Sequence, residues 1–297
     1  TNRSEVADIA KEYSEHLVPD AEVEANPAQY YDRIIEINLS ELVPAIVGPH
    51  TPDLARPVSD LGDEARENGW PTDIQAALIG SCTNSSYEDM TRAVSLVRQA
   101  KAAGIKVKSN FLVTPGSEQI YETIKQDGIL AEFEEVGATV LANACGPCIG
   151  QWKREDKQKG EANSILTSYN RNFAKRNDGN PETLGFISSP ELVVAMAFSG
   201  SMKFNPLTDS LKDKDGNDFK FDPPSGNILP TNGYSSKDSG YEEPTKTGEV
   251  VINPTSERLA FLEPFPKQDP IEDYKDLPLL IKAQGKCTTD HISQAGP

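Results

Sequence analysis

Apolar strand patterns alternate with amphipathic helix patterns from residue 73 to residue 200, and this alternation constrains the fold more than any other feature. Strands separated by helices pair in parallel and are covered by those helices, so the pattern predicts an α/β fold with a parallel or mixed sheet. Pro190 suits the first turn of the last helix and Gly200 suits its end. The predicted strands are 74–79, 105–107, 111–114, 139–142 and 164–168, and the predicted helices are 87–103, 118–127, 130–136 and 190–200.

The regions on either side of this core follow weaker patterns. Residues 1–70 begin with a helical pattern, continue through a strand-like run at 33–39, and are then interrupted by prolines. Eleven of the 22 prolines lie after residue 200, which predicts a loop-rich C-terminal extension. Regular structure is expected to resume at 279–283.

Charge and hydropathy exclude two classes of partner. The formal net charge is −17, and clustered Lys and Arg, which nucleic acids and anionic membranes require, are missing from the sequence. The longest apolar run covers only residues 192–198, whereas a membrane-spanning helix needs about 20 apolar residues. We therefore expect no nucleic-acid partner and no membrane span. The chain begins with Thr1 and shows no leader pattern, so we expect a trimmed chain whose compartment cannot be read from a presequence.

Three of the four cysteines follow predicted strands. Cys82 comes directly after strand 74–79, and Cys145 and Cys148 form a Cys-Gly-Pro-Cys motif after strand 139–142. The carboxyl ends of parallel strands meet at one edge of a sheet, where such folds bind ligands, so the three thiols are expected to converge. Four cysteines are too few for a disulfide scaffold in a chain of 297 residues.

Three interpretations of these cysteines remain open from spacing alone. A zinc site needs four ligands, and Cys287 and three scattered histidines are the remaining candidates. A thiol–disulfide site would use Cys145 and Cys148 and leave Cys82 without a role. An iron–sulfur cluster held by three cysteines accounts for all three residues and leaves one iron without a protein ligand.

A second candidate site follows the predicted strand 164–168. Arg171 and Arg176 lie there among small polar residues, and their guanidinium groups could each bind a carboxylate through two hydrogen bonds. Asn170 offers an amide to the same site, although an asparagine in a loop often hydrogen-bonds its own backbone instead.

Four motifs together resemble the aconitase family, and specifically its mitochondrial type. The resemblance covers nearly the whole chain and implies the three-layer third α/β domain of a four-domain enzyme, over residues 1–235. An interdomain linker over 236–262 and the truncated start of a swivel domain over 263–297 would follow. The motifs are IGSCTNSSYEDM at 79–90, ANACGPCIGQW at 142–152, TSYNRNF at 167–173 and GKCTTDHIS at 285–293.

The resemblance also implies roles for individual residues. Cys82, Cys145 and Cys148 would bind a [4Fe–4S] cluster, whereas Cys287 matches a position that is not a ligand. Arg171 and Arg176 would bind substrate carboxylates, with Asn170 near the cluster. The catalytic acids and bases of the family match no residue here, so the isolated chain is expected to be inactive.

The resemblance implies citrate, cis-aconitate and isocitrate as substrates, the remaining enzyme domains as partners and the mitochondrial matrix as location. Homoaconitases and isopropylmalate isomerases share the cysteines and the Asn-Arg-Asn-Phe pattern, so they remain alternatives. Tyr169, the Asn177-Asp178 pair and the long tail from residue 201 favour aconitase.

Overall fold

The computed structural model describes residues 4–237, 241–245, 247–257, 259–269, 273–285, 287–288 and 291. The chain divides into two compact units, and the division falls between residues 239 and 240. All helices and strands named below belong to the first unit.

The first unit contains seven α-helices, three short 3₁₀ helices and nine strands among its described residues. The helices are α1 (Ser4–Glu12), α2 (Ala21–Ala25), α3 (Leu61–Glu67), α4 (Tyr87–Ala102), α5 (Glu118–Gln126), α6 (Ile129–Glu135) and α7 (Pro190–Ser199). The strands are β1 (Ala45–Val47), β2 (Ala55–Pro57), β3 (Ile74–Gly80), β4 (Asn110–Thr114), β5 (Thr139–Val140), β6 (Asn163–Thr167), β7 (Thr183–Ile187), β8 (Leu211–Lys212) and β9 (Asp218–Phe219).

Seven of the strands form one mixed sheet in the order β2-β1-β7-β6-β3-β4-β5. The five strands from β7 to β5 are parallel, and β1 joins them through antiparallel pairs with β7 and β2. The predicted α/β class with a mixed sheet is therefore confirmed. Strand β3 lies in the middle, between β6 and β4, so loops that follow these strands are neighbours at the carboxyl edge.

Alternate residues of β3 pack into two different apolar cores, as the period of a strand requires. Ala77 and Ile79 belong to the larger core, which we call the helix-side core because it contains the buried residues of α3 to α7. Ala76 and Leu78 belong to a smaller one, the loop-side core, formed with Leu112, Cys148, Ile165 and Tyr169. A cysteine of the predicted site is thus also part of the hydrophobic packing.

The helix boundaries have clear chemical causes. Ser86 forms a capping box with Asp89 and so begins α4 directly after the Cys82 loop. Ser189 caps α7 and is followed by Pro190 in the first turn, while Gly200 ends the helix in the left-handed conformation. The predicted start and end of this last helix are confirmed.

Three predicted elements are wrong. The described residues 33–39 form no strand; their apolar side chains are exposed and no neighbouring strand pairs with them. Residues 105–107 belong to the connection between α4 and β4, where Ile105 is buried without strand pairing. Residues 279–283 form neither helix nor strand. Apolar runs indicate contact with other apolar groups, and they do not by themselves specify backbone pairing.

The second unit is described by itself. None of its described residues is buried, and its apolar side chains, such as Phe261, Leu262 and Phe265, lie exposed. Cys287 is also exposed and is not in a disulfide. Among the residues that the structure describes, no helix is both long and apolar enough to cross a membrane.

Candidate metal centre

The predicted site residues lie on loops at the carboxyl ends of β3, β5 and β6, and we call this region the cysteine edge (residues 81–85, 142–150 and 168–177). Strand β3 ends at Gly80, which adopts a φ of +114°. A Cβ at Gly80 would lie 1.9 Å from the carbonyl oxygen of Thr114 at the end of β4. Only glycine fits this close approach, which sets the direction in which the chain leaves β3 toward Cys82.

A buried serine connects the Cys82 loop with the arginine loop. The Gly80 amide donates to Ser168 Oγ at 3.0 Å, and Ser168 Oγ donates to the Gly80 carbonyl at 3.3 Å. The side-chain amide of Asn84 donates to the Ser168 carbonyl. Because Ser168 directly follows β6 and is fully buried, these bonds hold the ends of β3 and β6 together. The two motifs predicted to form one site are therefore joined at their bases.

The Cys-Gly-Pro-Cys motif forms a tight turn after β5. Pro147–Ile149 is a single 3₁₀ turn, and the amides of Ile149 and Gln151 both donate to the Gly146 carbonyl. Cys148 points into the loop-side core and is 7% exposed, whereas Cys145 is exposed. None of the cysteines is in a disulfide.

Electrostatic coupling shows that the three cysteines lie near one another. The pKa of Cys145 is raised, first by the neighbouring Cys148 thiol, then by partial burial, and further by Cys82. The positive charge of Arg176 opposes this shift and lowers the pKa of Cys145. Coulomb interactions in a partly solvated site act over short distances, so these four residues share one neighbourhood. Burial also raises the pKa of Tyr169, with a smaller contribution from Cys148.

The thiols do not converge on a single point. Across the described ranges, no three His, Cys, Asp or Glu side chains are arranged to hold one metal ion. The thiols are instead distributed over two exposed loop positions and one buried position at the same edge.

The arginine loop presents its two guanidinium groups differently. Asn170 and Arg171 are exposed at the start of the loop, whereas Arg176 is only 6% exposed and lies over the ring of Phe173 at 5.1 Å. The two arginines are thus a solvent-facing cation and a buried one near Cys145. Such a pair could bind two carboxylates of one small anion.

A buried ion-pair network behind these loops is not apparent from the sequence. Arg154 donates to Asp156 and to Asn163 Oδ1, lies 3.6 Å from the Asp178 carboxylate and stacks over Trp152. Its side chain is 3% exposed. Arg154 sits in a run of charged residues that is typical of a solvated surface, so no sequence signal distinguished it.

The comparisons with known proteins agree with each other. The aconitase family (aconitate hydratase) matches residues 1–200. Over the full chain, a mitochondrial aconitate hydratase of Gracilaria gracilis is 56% identical and one of Saccharomyces cerevisiae is 55% identical. A probable mitochondrial aconitate hydratase of Caenorhabditis elegans is 52% identical. The chain spans 37–38% of the length of these relatives.

Proposed function

The chain belongs to the aconitase family, and from this premise we propose that it is the cluster-binding part of an aconitate hydratase, a lyase that interconverts citrate and isocitrate through cis-aconitate. The observation that carries the proposal is the set of buried or partly buried hydrogen bonds that join the Cys82 loop to the arginine loop and the arginine loop to the turn between Cys145 and Cys148, all at one sheet edge. Metal ligands and a carboxylate-binding cation are needed side by side in such an enzyme.

Membership of the family implies an iron–sulfur cluster, and we propose that it is a [4Fe–4S] cluster held by Cys82, Cys145 and Cys148. Free thiols are the donors that such clusters require. A cluster binds each thiolate to a different iron, so its ligands need not converge on one point as the ligands of a zinc ion must. When bound, it would supply a Lewis acid for loss of the substrate hydroxyl, through the iron that lacks a protein ligand.

The arginines would hold the substrate carboxylates. Buried Arg176 would provide a fixed positive group next to the cysteines, and exposed Arg171 would reach a second carboxylate from solvent. Both charges would favour binding of an anion with several carboxylates and would stabilise the negative charge that develops on the substrate during hydroxyl loss. Asn170, beside Arg171, would add an amide donor to the same site.

We propose that this chain alone does not turn over substrate. The catalytic acids and bases of the family match no residue in it, and a positioned acid–base group contributes about 10² to 10⁴ in rate. Residues 1–235 would act as the cluster-binding domain, 236–262 as a linker and 263–297 as the start of a swivel domain, with the remaining enzyme domains as partners. The names of the relatives favour a mitochondrial location, and we propose the matrix as the compartment.

The thiol–disulfide alternative is not favoured. It would leave Cys82 without a role, and the relatives named above are aconitate hydratases. The homoaconitase and isopropylmalate isomerase alternatives are less favoured than aconitase, because the relatives named above are aconitate hydratases over the full length of this chain.

Anaerobic reconstitution with ferrous iron and sulfide tests the proposal. We expect a brown protein with broad visible absorption, and a paramagnetic-resonance signal of an iron–sulfur cluster after partial oxidation. A colourless protein that binds zinc in a stoichiometric amount, or that only forms a Cys145–Cys148 disulfide, would refute it. A full-length protein carrying this sequence should form cis-aconitate from citrate, measured by ultraviolet absorbance.

A further inference from the structure

Each arginine of the site is followed directly in the sequence by a buried asparagine. Asn172, after Arg171, is 2% exposed, and Asn177, after Arg176, is 5% exposed. A buried amide must have its hydrogen bonds satisfied by the protein, so the partners of these two side chains determine where the adjacent arginines are held.

The two asparagines anchor the loop to different structures. Asn172 Nδ2 donates to the Gly185 carbonyl on β7 at 3.1 Å and to the Thr51 carbonyl at 3.3 Å. Asn177 Nδ2 donates to the Pro147 carbonyl at 2.9 Å, within the turn between Cys145 and Cys148. The first anchor attaches the loop to the sheet, and the second attaches it to the cysteine turn itself.

We propose that Asn177 is a positioning residue that couples the carboxylate-binding arginine to the cluster-binding turn; this inference rests on the function proposed above. This buried bond joins two positions that are 30 residues apart in the sequence. Arg176 directly precedes the donor Asn177, and Cys148 directly follows the acceptor Pro147, so the bond holds Arg176 and Cys148 in place relative to one another.

The coupling acts in both directions. Without the bond, Arg176 would lose its fixed distance to the cluster, so substrate would bind more weakly even though its guanidinium is unchanged. The Pro147 carbonyl would also lose its donor, so the turn that holds Cys145 and Cys148 would open more easily and release iron faster.

Asn180 provides a matched control on the same loop. It is also 5% exposed, and its Nδ2 also donates to a backbone carbonyl at 2.9 Å, but this carbonyl belongs to Glu161, away from the cysteines. Replacing either asparagine by aspartate exchanges the Nδ2 donor for an oxygen, so the hydrogen bond to the backbone carbonyl is lost. The two variants therefore differ mainly in which segment the lost bond connected.

The experiment compares N177D and N180D in a full-length protein that carries this sequence. We expect N177D to raise the KM for citrate and the rate of iron loss to a chelator, followed by visible absorbance, by several-fold to about tenfold each. N180D should leave both quantities within about twofold of their values in the unmodified protein. It should lower thermal stability about as much as N177D does. Equal effects of the two variants on KM and on iron loss would overturn the inference.

Two further outcomes are decisive. If N177D does not fold, N177A and N180A are compared instead, because alanine introduces no buried charge. Equal effects of these two variants on the KM for citrate and on iron loss would again refute the coupling. If the unmodified protein acquires neither visible absorption nor turnover, the proposed function fails. If the unmodified protein is coloured and active but N177D changes neither the KM nor the rate of iron loss, only this inference is refuted.

Discussion

The helix-side core and the cysteine edge are built on the same strands, but the first contributes packing and the second contributes exposed side chains. In the core, Phe111, Phe186 and Phe198 are at most 1% exposed, and stability depends on how closely they pack. At the edge, Cys82, Cys145 and Arg171 are exposed on loops, and only a few neighbours such as Cys148 and Tyr169 pack into the loop-side core. Mutations in the first region should therefore act on folding, and mutations in the second on metal and substrate binding.

The two tryptophans of the chain make this comparison measurable. Trp70 packs edge-on against Phe186 at 5.5 Å and reports on the helix-side core. Trp152 packs against the loop-side core, near Cys148, and stacks with Arg154 at 5.0 Å. Variants W70F and W152F isolate one fluorescence signal for each region.

The largest effect is expected for Cys145→Ser. A serine hydroxyl does not replace a thiolate as a ligand of iron, so the reconstituted chain should lose its visible absorption almost completely. Both Cys145 and Cys287 are exposed, so Cys287→Ser is a matched control that should retain full absorption. Circular dichroism should show unchanged secondary structure in both variants.

If Cys145→Ser retained a cluster of normal intensity, or if Cys287→Ser lost it, the assignment of the ligands would be wrong.

The next effect is expected in the helix-side core. Phe198 on α7 is fully buried, so Phe198→Ala should lower the free energy of unfolding by about 3–5 kcal/mol. Phe265 is exposed in the second unit, and Phe265→Ala should change it by less than about 0.5 kcal/mol. Denaturant unfolding followed by Trp70 fluorescence measures both, and similar losses would contradict the claim that burial in the helix-side core determines stability.

A smaller effect is expected for Arg171→Lys in a full-length protein. Lysine keeps the charge but cannot form the two parallel hydrogen bonds of a guanidinium with a carboxylate, so the KM for citrate should rise about tenfold. The visible absorption of the cluster should not change. Arg66 forms only an exposed pair with Asp63, so Arg66→Lys should have no effect on steady-state kinetics. Unaltered KM in Arg171→Lys would remove this residue from the site.

The smallest effect concerns acid–base chemistry of the metal-free chain. Arg176 lowers the pKa of Cys145, so Arg176→Gln should raise this pKa, because the thiolate loses a nearby positive charge. At a fixed pH near 8 less thiolate is then present, and alkylation of Cys145 by iodoacetamide should slow by a few-fold. The pH profile of alkylation, read by mass spectrometry, should shift to higher pH, whereas Arg66→Gln should leave it unchanged.

An unchanged pH profile in Arg176→Gln would place Arg176 away from Cys145.

Sequence reasoning predicted the α/β class because long apolar runs and capped helices carry local signals. Strand 163–167 and helix 190–199 lie within a residue or two of their predictions. Strand β7 was missed because Thr183–Ile187 contains a glycine, which weakens the strand pattern. The run 33–39 was misassigned, because its alternating pattern fits a strand but only a neighbouring strand can pair with it.

The candidate site was predictable to the same degree. Cysteines and arginines that follow strands can be found from sequence, since parallel strands end at a common edge. The asparagine that joins the two loops and the buried Arg154 network could not be found, because a hydrogen bond across 30 residues leaves no periodic pattern.

The central claim, that Cys82, Cys145 and Cys148 hold the cluster, is tested most directly by alkylation footprinting of the reconstituted chain. The cluster-bound and metal-free forms are treated with iodoacetamide under anaerobic conditions, and the modified cysteines are identified by mass spectrometry. We predict that the exposed Cys82 and Cys145 are protected only in the cluster-bound form, that the buried Cys148 reacts slowly in both forms, and that the exposed Cys287 is modified in both. Protection of Cys145 and Cys148 without Cys82, or equal modification of all four cysteines in a coloured protein, would contradict the claim.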